Sequence, residues 1–180
     1  RPAVNNTATA VTKNIITAPI TVEYSIPNGP NKNANKATIY GASFHLKAKL
    51  SKEVDVTTTL NYTVGENKTL AVPFAHIPPL YGRTDFIIKA SPLTLAVYAK
   101  YQAQKKIADY SPFGEDNENR ATADGTPAWH TFNLRAELQL NPSITIQAAL
   151  ENLMDVHYRP FASGVSGAGR NFVFTLRASF

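Results

Sequence analysis

Four histidines, His45, His76, His130 and His157, are the first residues to ask about chemistry, and they are spread along the chain with no metal-ligand spacing. No nucleophile elbow, P-loop or H-E-x-x-H occurs. Cysteine is absent, so neither thiol chemistry nor a disulfide framework is available. The sequence therefore reads as a non-enzyme, with no catalytic residue, no metal set and no cofactor. Binding chemistry remains. Tyr110, Phe113, Trp129, Tyr158 and Arg159 lie in or beside long polar connections, where aromatic rings and a guanidinium suit a flat or anionic ligand. Trp129 and Tyr158 fit an interfacial girdle of rings as well. His76 ("FAHIPPLYG") and His157 ("MDVHYRPF") are loop histidines, free to contact a ligand or to bond a neighbour. The run "DNENR", Asp116–Arg120, reads as solvated loop and does not match a calcium cage.

The elements that carry these loops show a period of two. "TIYGASFHLKAKL" sets Tyr40, Ala42, Phe44, Leu46, Ala48 and Leu50 against Gly41, Ser43, His45, Lys47 and Lys49. "VDVTTTLNYTV", "GRTDFIIKA", "LTLAVYAKYQA", "HTFNLRAELQL" and "ITIQAALENL" repeat the pattern, the last blurring after Ala149. At the C-terminal end Phe172, Phe174, Leu176, Ala178 and Phe180 alternate with Asn171, Val173, Thr175, Arg177 and Ser179. These are seven strands; an eighth is read at residues 16–26, interrupted by Pro19. "SKE", "SP" and "NPS" are tight turns, and they alternate with long connections near 65–80, 104–128 and 154–170. Short turns therefore gather at one end of an antiparallel sheet and long loops at the other.

Alternation fits a soluble sandwich with its apolar face inward, or a transmembrane barrel with that face in lipid. Three features favour the barrel: strands long enough to cross a bilayer at a tilt, turns and loops sorted by end, and a polar face rich in long charged groups. Arg135, Glu137, Glu151 and Arg177 are expected on that face. There is no run of 18 apolar residues. The net charge of +5 is scattered, Lys105-Lys106 being the one basic doublet, so nucleic acid is not an expected partner. The chain opens on Arg1 and not on methionine, which fits a removed leader or a piece of something larger.

Ordered motifs add a resemblance. "ATIYGASFHLKAKL", "LNYTVGEN", "PFAHIPPLYGRTDF", "ENLMDVHYR" (N-L-x-D-x-x-Y) and "GAGRNF" before a strand ending in Phe180 occur in series over residues 34–180. This series resembles the C-terminal barrel segment of TonB-dependent outer-membrane receptors, of the haem or siderophore branch. Ser43 stands where that family usually has an acidic residue, and Ala168 where proline is commoner.

The resemblance implies an all-β, up-and-down transmembrane barrel of about 22 strands, of which this chain supplies about seven or eight. Residues 1–36 read as an extracellular loop that contains the strand at 16–26, and the resemblance implies 37–180 as barrel strands. It implies uptake of a scarce ligand such as an iron-siderophore or haem. The partners it implies are an N-terminal plug domain and the TonB complex, neither within this chain, the lipid bilayer, and the barrel assembly machinery through Phe180. His76, Tyr110, Phe113, His157, Tyr158 and Arg159 then become the ligand-contacting loop residues, a loop histidine being able to ligate haem iron or touch an iron chelate. Arg135, Glu137, Glu151 and Arg177 become plug-facing, and Arg170 a structural salt bridge. The alternatives are a complete eight-stranded barrel with a structural or adhesive role, and a soluble carbohydrate-binding sandwich.

Overall fold

The alternating segments form antiparallel strands in the computed structural model, which describes residues 20–24 and 35–179. In chain order they are β1 (Ile20–Tyr24), β2 (Asn35–Lys49), β3 (Val54–Asn67), β4 (Val72–Pro73), β5 (Tyr81–Ala90), β6 (Leu93–Gln102), β7 (Lys105–Lys106), β8 (Gly125–Thr126), β9 (Trp129–Asn141), β10 (Ile144–Glu151) and β11 (Asn171–Ala178). The main sheet runs β1-β2-β3-β5-β6-β9-β10-β11, with β4 paired to the end of β3. Strands β7 and β8 make a separate small ribbon. The three two-residue strands lie inside connections read as irregular, because a ladder that short carries no period. Strand β10 keeps its pairing to Glu151, past the point where its alternation blurs. Phe180, and the N-terminal loop expected at 1–36 apart from β1 and the start of β2, lie outside the described residues.

Two of the three tight turns are closed by their own side chains. Ser51 Oγ accepts from the amides of Glu53 and Val54, each at 3.1 Å. Asn141 Oδ1 accepts from Ser143 N at 2.9 Å. Such side-chain acceptors mimic a backbone turn. All three tight turns fall at one end of the sheet, and the connections 68–80, 103–128 and 152–170 fall at the other.

Register aligns the side chains in rows. One row crosses six strands as Val56, Phe86, Val97, Leu134, Leu150 and Phe172. On the opposite face, Lys47, Thr57, Asp85, Tyr98 and Asn133 are neighbours in the same way. Phe172 is 66% exposed and Phe86 48%, whereas Tyr98 is 4% exposed and Asn133 1%. The polar face is sheltered at mid-sheet and toward its loop end, where folded loops cover it. In water each bare aromatic or aliphatic side chain forgoes about 1.5–3 kcal/mol of burial. A continuous apolar face of this extent is stable only against another apolar medium.

Candidate functional site

The polar face carries a linked set of charges at mid-sheet. Arg83 on β5 grips Asp85 with two donors, Nε at 2.8 Å and Nη2 at 2.5 Å. Residues two apart in a strand share a face, so this fork follows from the spacing. The same guanidinium lies 4.0 Å from the ring centre of Tyr98 on β6. Tyr98 donates its hydroxyl to Glu151 Oε1 at 3.0 Å, and Lys100 Nζ stands 3.8 Å from that oxygen. Nearer the turns, Lys89 meets Asp55 at 2.5 Å, and Gln147 donates to Glu137 at 2.5 Å. Arg135 and Arg177 are exposed and form no ion pair among the described residues.

The loops form a cap held by buried polar groups. Asp116, 2% exposed, accepts from the backbone amides of His76 at 2.6 Å and Ser111 at 2.8 Å, tying two loops together. Lys105 Nζ donates to Ile77 O at 2.9 Å and lies 5.2 Å from the centre of the Phe161 ring. Desolvation pushes the Lys105 ammonium below its ordinary range, against the pull of Asp109 and Asp116. Tyr110 packs edge-on against Phe161 and bonds Thr126 through its hydroxyl. Asn117 donates to Ala162 O at 2.8 Å, Arg159 to Arg120 O at 2.8 Å, and Phe161 N to Gln102 Oε1 at 3.2 Å.

The N-L-x-D-x-x-Y stretch is a knot at the end of β10. Asn152 stands at φ 50° and is buried. Its amide donates to Val156 O and Ala168 O at 2.9 and 3.0 Å, and its Oδ1 accepts from Val156 N at 2.9 Å. Its own N–H donates to Asn133 Oδ1 at 2.9 Å, which reaches β9. Asp155 Oδ1 accepts from Arg170 N at 2.7 Å. The glycines of "GAGRN" fit around the knot. A Cβ on Gly167 would stand 2.2 Å from the Tyr158 ring, and one on Gly169 2.6 Å from the Asp155 carboxylate. The last strand is thereby launched beside β10 at a fixed register.

No protein-family model and no curated protein matches this sequence. Solved structures do match by shape. The copper transporter OprC superposes with a TM-score of 0.70 at 17% identity, over 82% of this chain and 24% of that one. The ferric enterobactin receptor PfeA of Pseudomonas aeruginosa, as its G324V mutant, gives 0.66 at 19% identity, over 93% and 27%. Both are TonB-dependent receptors. The fold of this chain matches a wall segment of these barrels. The chain spans about a quarter of the length of these two proteins.

In a transmembrane barrel wall the apolar face meets lipid and the polar face turns inward. The charged set of Arg83, Asp85, Tyr98, Lys100 and Glu151 lies on the polar face of this sheet, opposite the apolar rows. The sequence-predicted loop residues are dispersed. His157, Tyr158 and Arg159 come together around a cavity of about 210 Å³ shared with Trp129, Arg120 and Thr126. Tyr158 stacks on Trp129 with ring centres 4.4 Å apart. His76 is exposed in another loop, its ring 3.9 Å from Asp116. Phe113 is exposed on the cap, and Tyr110 is inside it with 5% exposure. Two readings are corrected. Asp116 is a buried knot and not part of a solvated run, because two backbone amides need its carboxylate. Among the described residues Arg170 forms no salt bridge, and its Nε donates to Leu153 O at 3.1 Å. The alternation of β5 and β6 held the signal for Arg83, Tyr98 and Lys100. Nothing local marks Gln102 or Asp116, whose partners lie 59 and 40 residues away.

Proposed function

We propose that this chain is wall and extracellular loops of an outer-membrane TonB-dependent receptor that takes up a scarce ligand such as an iron-siderophore or haem. The observation that carries the reading is the inverted sheet: an exposed apolar face opposite a sheltered, ion-paired polar one. A soluble sandwich would bury the rows that are bare here. An eight-stranded closed barrel would pair β1 with β11, and these two stand at opposite ends of the sheet. The PfeA likeness favours an iron chelate among the ligands; no observation favours haem over it, and copper is carried by the other protein of like shape. His76, Phe113, His157, Tyr158 and Arg159 are the loop residues nearest such a role, with Tyr110 supporting the cap from inside. Arg135, Glu137, Glu151 and Arg177 face a plug domain supplied from outside residues 1–180. Phe180 addresses the chain to the barrel assembly machinery.

The test is fractionation and transport with the full reading frame. The protein should co-purify with outer membranes and migrate faster on a gel unheated than boiled. Uptake of a ferric siderophore should stop when TonB is deleted. Recovery in the soluble fraction, or an energy-independent phenotype, rejects the reading.

A further inference from the structure

The polar face is balanced in charge at mid-sheet and unbalanced toward the turns. At mid-sheet Arg83 is held by Asp85 and Lys100 stands by Glu151, one cation to one carboxylate. From there to the turns the strands carry Lys47, Lys49, Lys89, Arg135 and Arg177 on this face, against Asp55 and Glu137. Lys89 takes Asp55, and Glu137 accepts from Gln147. Lys47, Lys49, Arg135 and Arg177 are exposed and form no ion pair among the described residues. Arg135 stands between Ala96 and Ala149, and Arg177 beside Thr145, so neither has a carboxylate across the ladder. Lys49 and Arg135 share one register row, four strand steps apart. At about 4.8 Å per step they are about 19 Å apart along the sheet, so no small anion pairs both. A cation left in water needs no partner, but one that is covered without a counter-charge costs several kcal/mol. Whatever covers this half of the face must therefore bring carboxylates, and bring them on a broad surface.

We propose that the turn-side half of the polar face docks an acidic surface of a folded domain, with carboxylates set against Lys47 and Lys49 and against Arg135 and Arg177. That domain is the plug of the proposed receptor, and the inference rests on that reading. It adds the sign of the contact and its height on the wall. Glu137 and Glu151, already bonded within the sheet, are not the anchors.

The full-length protein in outer-membrane vesicles is treated with a water-soluble carbodiimide, which joins an amine to a carboxylate in contact with it, and the links are read by mass spectrometry. Lys47 or Lys49 should be linked to an aspartate or glutamate outside residues 1–180. A link between Lys89 and Asp55 reports that the reagent reaches the face. A second measurement does without the reagent. Arg135→Glu with Arg177→Glu sets like charges together and should speed proteolysis of the chain outside residues 1–180 by roughly tenfold or more. Arg135→Lys with Arg177→Lys keeps both charges and should stay near the parent rate. Heat-modifiable migration checks assembly, and Arg135→Gln with Arg177→Gln carries the test if the reversal does not assemble. Links from Lys47 and Lys49 to Asp55 alone, or proteolysis at the parent rate in the charge-altered variants, overturns the proposal. If that happens while uptake stays TonB-dependent, the acidic contact fails and the receptor reading stands; recovery in the soluble fraction removes both.

Discussion

The sheet and the cap solve one problem by opposite means. In the sheet every interior amide and carbonyl is paired by the neighbouring strand, so side chains are free to serve their surroundings, apolar on one face and charged on the other. In the cap the ladder is gone, and side chains take over its work. Asp116, Asn152, Asn117 and Gln102 each bond backbone groups of distant segments. The sheet should therefore tolerate many substitutions that keep its pattern, whereas the cap should depend on a few polar residues. A surface rim that must hold a shape without strands needs buried carboxylates and amides in place of a hydrophobic core.

The strongest way to break this contrast is Asp116→Ala. It strands two buried amides and should cost about 3–5 kcal/mol of cap stability, from two hydrogen bonds to a charged group. Limited proteolysis should open both 74–79 and 110–117 while the strands stay protected; protection of both loops in the variant would refute the contrast. Asn152→Ala removes three side-chain bonds, about 3 kcal/mol at about 1 kcal/mol each. Hydrogen exchange should quicken through 153–170 and leave the β5–β6 pairing alone. In the sheet the face decides the outcome. Phe174→Arg should cost about 2–3 kcal/mol of assembled stability in lipid, while Thr175→Arg next to it is nearly neutral. Equal urea midpoints for the two variants in vesicles would refute the facial assignment.

The smallest effect is one of pH. Lys105 is held below the ordinary lysine value of 10.5 by burial. The unfolded cap therefore binds more protons than the folded one between those two values, and cap stability rises as pH climbs through that interval. Below it the full penalty of the buried ammonium applies, and above 10.5 the difference vanishes. Protease resistance of the cap should increase with pH in this window, and Lys105→Met should flatten the slope. A slope unchanged by that substitution assigns it to another group.

The strand pattern was legible because period two is a local property: Phe172 and Phe174 against Thr175 needs only neighbours in the chain. Turns were legible for the same reason, since Ser51 and Asn141 bond amides two or three residues on. The cap was not. "DNENR" has the composition of a solvated run, and what buries Asp116 is an amide 40 residues earlier. Tyr110 looked like a ring awaiting a ligand, but the ring it meets belongs to Phe161 of another loop. Glu151 was placed on the charged face by its alternation, yet its bond to Tyr98 crosses from β10 to β6 and follows only once strand order is known.

Asp116 holds His76 by its amide hydrogen, not by its imidazole. The course of the 74–79 loop is therefore indifferent to what side chain residue 76 displays, within one limit. Its φ of 58° admits asparagine, aspartate or glycine readily and resists valine, isoleucine or threonine. A displayed group can thus be exchanged at this exposed spot while the backbone beneath keeps its trace.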